Sequence, residues 1–128
     1  MKFLDTYINT FDDVSLIDVE IASGDEVATE GFSLRQHGRV GVFGLYIQFE
    51  GPGTLNIYQE TDPGEETVEA TNRAHEWFRP EYGNPVIEGL TAGDRAVPST
   101  AVIGQHIRFI LKAIGGQVTV TRFRLVIQ

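Results

Sequence analysis

Apolar residues in this chain return at every second position, in short runs broken by glycine and proline, and that period limits what the chain can fold into. Ile107, Phe109, Leu111 and Ala113 alternate with His106, Arg108, Ile110 and Lys112, and Leu45, Ile47 and Phe49 alternate with Tyr46, Gln48 and Glu50. Ile17, Val19 and Ile21 are separated by Asp18 and Glu20. A period of two puts one set of side chains on one face of a strand and the other set on the opposite face. No window sustains the three-to-four-residue period of an amphipathic helix, so no long helix is expected. Fourteen glycines and five prolines punctuate runs rich in Val, Ile, Thr, Phe and Tyr, which is strand composition with turn signals.

Two units are sharply drawn. Gly115-Gly116 follows Ala113, and such a pair favours a two-residue hairpin turn because both positions take positive φ. It predicts a hairpin in which Ala113 faces Val118 and Leu111 faces Val120. Continuing that register would set Phe109 against Arg122, but the apolar phase moves to Phe123, Leu125 and Ile127. The shift predicts a one-residue bulge near Thr121-Arg122, pairing Phe109 with Phe123 and Ile107 with Leu125. Arg108 and Arg124 then become near opposites on the outer face, and like charges across a ladder call for an acid or anion close by. In the second unit, Gly51-Pro52-Gly53 predicts a hairpin that returns Leu55 and Ile57 against Phe49 and Ile47. Gly44, where the phase of Val40 and Val42 gives way to that of Leu45, predicts a bulge or kink. Phe32 and Leu34 mark another strand before His37-Gly38, residues 3–8 and 86–90 mark weaker ones, and Val102 and Ile103 lead into the last hairpin.

About seven to nine short antiparallel strands cannot hide their apolar faces in one open sheet, so two sheets must stack or one must close. The expected fold is an all-β, antiparallel β-sandwich of jelly-roll or immunoglobulin-like type, forming one domain over residues 1–128. There is no cysteine, which excludes disulfides, thiolate metal sites and cysteine nucleophiles. The segment MKFLDTYINTFDD has one lysine, turns acidic and lacks an unbroken apolar stretch, so it is not expected to be a signal peptide. No run approaches the roughly 18 apolar residues of a membrane-spanning helix, and no membrane partner is expected.

The net charge is −8, opposite in sign to the usual footprint of a nucleic-acid-binding domain. Residues 1–100 hold six cations and all 18 acids, whereas residues 101–128 hold Arg108, Lys112, Arg122 and Arg124 with no acid. The plain reading places basic strands beside acidic strands of the same domain. The alternative sets a basic face against an acidic face of a neighbouring subunit.

Residues 61–85 break the strand pattern and form one long connection, although Val68 and Ala70 could add a short strand. Long connections in compact domains are usually functional or mobile. This one carries Trp77, Phe78 and Tyr82, with Arg73, His75 and Arg79 between and around them. One reading has the aromatics fold back and cap the open end of the sandwich. Alternatively they form a contact surface, since Trp, Tyr and Arg dominate protein interfaces. A third reading makes Trp77 and Tyr82 a carbohydrate-binding platform. The candidate interface residues are therefore Arg73, Trp77, Phe78, Arg79, Tyr82, Arg108, Arg122 and Arg124.

Catalytic patterns are thin. None of Ser15, Ser23, Ser33 and Ser99 has the glycine-flanked setting of a nucleophile elbow. His37, His75 and His106 are too dispersed to make a metal site by spacing, and each is expected to be exposed or singly hydrogen-bonded. Glu60, Asp62, Glu65 and Glu66 surround Pro63-Gly64 without matching a calcium loop, and read as a solvated acidic turn. No enzyme, cofactor or metal is expected.

Several segments carry a resemblance. Glu30-Gly31-Phe32-Ser33-Leu34-Arg35, the run VFGLYIQF from Val42, TLNIYQET from Thr54, and His106-Ile107-Arg108-Phe109 followed by a glycine turn and VTVTRFRLVIQ resemble the small β-sandwich virion proteins of tailed bacteriophages. The long aromatic loop has no counterpart in that likeness. The resemblance implies a capsid decoration protein, made in the host cytoplasm and resident in the virion. It also implies assembly as a homo-oligomer, often a trimer, and binding to a capsid or other virion protein.

Overall fold

The alternating runs form strands, and their inward faces meet between two sheets. The computed structural model describes residues 2–5, 8–10, 13–15, 19–29, 31–33, 42–62, 77–79, 85–101 and 106–127. Its strands in chain order are β1 (Lys2–Asp5), β2 (Ile8–Thr10), β3 (Asp13–Ser15), β4 (Val19–Ile21), β5 (Glu26–Thr29), β6 (Phe32–Ser33), β7 (Val42–Glu50), β8 (Thr54–Asp62), β9 (Ile87–Leu90), β10 (Gly93–Ala101), β11 (His106–Ile114) and β12 (Val118–Ile127). No helix occurs among the described residues. The first sheet runs β1-β12-β7-β10 with β4 also on β12; the second runs β3-β2-β5-β11-β8-β9 with β6 also on β11. All pairings are antiparallel. The fold is a β-sandwich.

Its construction is simple to state. The connections β4–β5, β7–β8, β9–β10 and β11–β12 each pass from the first sheet to the second or back. Neighbours in the first sheet follow the order β4-β12-β7-β10, and in the second β5-β11-β8-β9. The same chain segments thus lie side by side in the same order twice. The sandwich is one antiparallel sheet of double-length strands, folded across its middle.

Glycine sits along the crease. The Gly53 N–H donates to the Gln117 carbonyl at 3.1 Å, so the two central arches are bonded to each other. A Cβ on Gly53 would fall onto the Gly116 carbonyl, and one on Gly51 would lie 2.5 Å from the Gln117 oxygen. Backbone approaches backbone here with no room for a side chain. On the other flank, the Gly24 N–H donates to the Ala113 carbonyl at 2.8 Å, and the Ala113 N–H donates to the Asp25 carbonyl at 3.2 Å.

Folding the sheet brings its two apolar halves together. Val19, Ile21, Leu45, Ile47, Phe49, Val118, Val120 and Phe123 from the first sheet pack on Leu55, Ile57, Ile107, Phe109, Leu111 and Ala113 from the second. The Phe109 and Phe123 rings meet across the layer, with centroids 5.6 Å apart and planes tilted by 45°, a geometry that favours aromatic pairs.

Both expected hairpins are arches instead. β11 pairs with β8 and β5, while β12 pairs with β7 and β4. Phe109 therefore lies opposite Gln59 and Phe123 opposite Ile47; the two rings touch between sheets, not along one ladder. Arg108 and Arg124, expected near each other, belong to opposite sheets. The bulge falls at Thr121, between Val120↔Phe49 and Arg122↔Gln48, but against β7. The irregularity expected at Gly44 lies on the strand facing it: β10 fits Pro98 and Ser99 where β7 has only Gly44. β10 is an edge strand, where a proline leaves no inner ladder bond unmade. Its sequence GDRAVPSTA lacks the alternation that betrays a half-buried strand. Val68, Ala70, Val102 and Ile103 lie outside the described residues.

Gly53→Ala is expected to lower unfolding stability by about 2–3 kcal/mol, because its Cβ has only backbone to meet. Gly24→Ala, whose Cβ would meet nothing within 4 Å, should cost only the left-handed backbone penalty of about 1 kcal/mol. Equilibrium urea unfolding of the two variants measures the difference. Phe123→Ala in the same assay should lose about 3–5 kcal/mol.

Candidate functional site

The outward phase of β8 and β11 forms the floor of the site. Asp62 faces His106, Glu60 faces Arg108, Tyr58 faces Ile110 and Asn56 faces Lys112 across the ladder. Outward positions of a sandwich are ordinarily wet. Here Tyr58, Glu60, Asp62, His106 and Ile110 are buried.

A three-residue strap, residues 77–79, is part of the cover. Thr61 and Phe78 form a β-bridge: the Thr61 N–H donates to the Phe78 carbonyl at 2.9 Å and the Phe78 N–H to the Thr61 carbonyl at 2.8 Å. The strap is extended, so its side chains alternate. Trp77 and Arg79 reach the outer face, and Phe78 points the other way.

Charge and aromatic groups then stack in sequence. Arg79 Nε donates to Glu60 Oε2 at 3.2 Å and its Nη1 to Glu26 Oε1 at 3.3 Å. Its guanidinium lies 4.3 Å above the centre of the Tyr58 ring. Arg108 Nε and Nη2 both approach Glu60 Oε1 at 2.8 Å, and the Arg108 guanidinium lies 4.9 Å from the Trp77 ring. Glu60 is only 7% exposed. A buried carboxylate is tolerable when its lone pairs are taken by charged donors, and two arginines supply them. Trp77 closes the row by lying on Gly31, where a Cβ would sit 2.6 Å from Trp77 Cζ2.

Of the residues singled out from sequence, Trp77, Phe78, Arg79 and Arg108 are brought together. Arg122 and Arg124 lie on β12 in the first sheet, opposite Gln48 and Tyr46. The basic C-terminal region is divided because β11 and β12 are the two limbs of one arch. Arg73 and Tyr82 lie outside the described residues, as do His37, His75, Glu65 and Glu66. Of the aromatic segment, residues 77–79 lie along the edge of β8, with Trp77 and Arg79 over the outer face of the second sheet.

Sequence reasoning missed Glu60, Glu26, Tyr58 and Gly31 as members of this cluster. Glu60 and Asp62 were expected in a solvated turn; both are buried strand residues. The pointer to Glu60 was the outward phase carried on from Asn56 and Tyr58; the acid expected near Arg108 rested on a pairing with Arg124 that does not form. His106 is likewise buried, where its strand pairs with Asp62 on one side and Ser33 on the other. Among the described residues, no group of three or more His, Cys, Asp or Glu side chains gathers as metal ligands do.

A shallow groove crosses the first sheet at the crease, lined by Glu50, Gly51, Gly93 and Asp94 among others. It shares no residue with the strap. Comparison with protein-family models and with curated proteins found no match to the chain.

The chain has one tryptophan, so intrinsic tryptophan emission reports on the strap alone. Glu60→Gln should red-shift that emission, raise its quenching by acrylamide and lower stability by about 1–3 kcal/mol, since it leaves two arginines short of their shared charge. Arg79→Lys should show the same optical change, because one ammonium cannot bridge both Glu60 and Glu26 as the guanidinium fork does.

Proposed function

We propose that the chain is a non-enzymatic virion structural protein, most simply a capsid decoration protein of a tailed phage, acting through protein–protein interfaces. The observation that carries this reading is the strap: Trp77, Phe78, Arg79 and Arg108 are the residue types that dominate protein interfaces, and they are fixed on a rigid sandwich at residues 58–62 and 106–110. The charges of the cluster are spent on each other. Glu60 neutralises Arg79 and Arg108, and Glu26 completes the set. That arrangement favours a shaped contact surface over a reactive site.

The resemblance of the strand patterns to those of small virion sandwiches supplies the biological setting of the proposal. On this reading the chain is made in the host cytoplasm, assembles as a homo-oligomer such as a trimer, and binds the finished capsid but not its separated subunits. Selective binding to the assembled state stabilises it by linkage, and many copies turn modest single contacts into strong avidity. A carbohydrate platform at Trp77 finds less support, because the Arg108 guanidinium occupies one face of the ring and Gly31 meets its edge.

Light scattering coupled to size exclusion should give an oligomer of the purified chain. Immunogold with an antibody to the chain should mark the heads of tailed particles released by the bacterial strain that carries the gene. A strict monomer whose antibody labels no particle would overturn the reading.

A further inference from the structure

We propose that the outer face of the first sheet is a self-complementary contact, on which two copies of the chain pair about a twofold axis laid along β7. The inference rests on the homo-oligomer part of the reading above and gives that assembly a surface. In the second sheet the outward residues Tyr58, Glu60 and Ile110 are buried. The outward phase of the first sheet is open. Tyr46, Gln48, Arg122 and Arg124 are half-buried, Asp94 and Ala96 are exposed, and no described segment crosses them.

The register arranges the charges. β7 lies between β12 and β10. Gln48 faces Arg122 on one side and Asp94 on the other, and Tyr46 faces Arg124 on one side and Ala96 on the other. Each row thus runs from a cation on β12, through a neutral residue on β7, to an acid or a small residue on β10. Arg122 and Asp94 stand two strand spacings apart, about 10 Å. The bulge at Thr121 sets this order. Without it Arg122 would face Ile47 and turn to the core.

A twofold axis along β7 exchanges the two flanks, and an isologous contact made this way uses every pair twice. It sets Arg122 of each copy over Asp94 of the other, lays Arg124 over the small Ala96, and keeps Tyr46 and Gln48 at the centre. Tyrosine is enriched among interface hot spots, and Gln48 Nε2 donates to the Tyr46 hydroxyl at 3.1 Å, which steadies the ring. The groove at the crease, of about 510 Å³, opens beside Asp94 and carries Glu50 as a second carboxylate. Among the described residues that line it there is no cation. The Arg122 guanidinium of a second copy finds space and two acids there. Two exposed acids alone would name no occupant; the cation on the far flank of the same row is what fits this face to another copy of itself. The net charge of −8 favours no one face and is screened beyond about 8 Å at physiological ionic strength, so these local pairs decide the orientation.

Sedimentation velocity of the purified chain over a range of concentrations tests the contact. Wild type should form a dimer or a larger even-numbered assembly. Arg122→Glu and Asp94→Arg should each weaken the contact at least about tenfold, because each sets like charges together twice. An equimolar mixture of the two variants should regain the wild-type assembly, since both cross-pairs then carry opposite charges again. Both should keep the wild-type Trp77 emission, and Asp94→Arg, at an exposed position, carries the test if Arg122→Glu unsettles β12. An odd-numbered wild-type assembly such as a trimer, or single variants that assemble like wild type, would overturn this contact and leave the homo-oligomer reading standing. A mixture that stays apart would refute the pairing of Arg122 with Asp94. A wild-type chain that is monomeric at every concentration would remove the contact and the homo-oligomer together.

Discussion

The approach of backbone to backbone at Gly53 and Gly116 is the constraint on which the rest of the molecule depends. The central arches can lie against each other only because neither position carries a side chain. With the arches in contact, β7 stays paired with β12 on one side of the crease and β8 with β11 on the other. The inner faces of the two halves then oppose each other, and Phe109 reaches Phe123. Separating the arches would pull apart the ladders and the apolar layer together.

The same geometry explains where the cluster lies. Folding the sheet sends one phase of β8 and β11 inward and leaves the other outward, with Tyr58, Glu60 and Arg108 in adjoining rows. An outward carboxylate beside an outward arginine would be a surface pair worth little in water. The strap changes its surroundings by adding a second guanidinium, which lies over the Tyr58 ring, and the aromatic face of Trp77. The bridge between Thr61 and Phe78 brings that guanidinium into reach, and Gly31 gives Trp77 the space to complete the row. Crease, ladder and strap are thus successive conditions for one surface.

The arches were mistaken for hairpins for a physical reason. Gly115-Gly116 and Gly51-Pro52-Gly53 permit a reversal of direction, but they do not say whether the returning strand hydrogen-bonds to the one it left or packs against its face. Alternation is silent too, since Leu111 and Val120 point to the core in either arrangement. The bulge was legible because the phase of β12 breaks at Thr121 whichever strand lies opposite. An acid beside Arg108 was expected only to offset Arg124 across a shared ladder; the two arginines lie in opposite sheets, and Glu60 meets Arg108 through the β8–β11 register instead. β10 was not legible at all, because an edge strand closed by Arg95 folding back onto Thr91 and Ala92 needs no apolar alternation.

By itself the sequence determined that the chain makes strands, which apolar residues of β4, β7, β8, β11 and β12 face inward, where β12 bulges, and that aromatic residues interrupt the pattern near residues 77–82. Those properties follow from side-chain period and backbone preference, which act over a few neighbouring residues. Only the tertiary structure decided that the glycine turns are arches, that Arg108 and Arg124 part company, and that Glu60 sits between two guanidiniums. Those outcomes depend on which distant segments share a ladder, and pairing between residues 48 positions apart, as for Glu60 and Arg108, leaves no local trace in the order of amino acids.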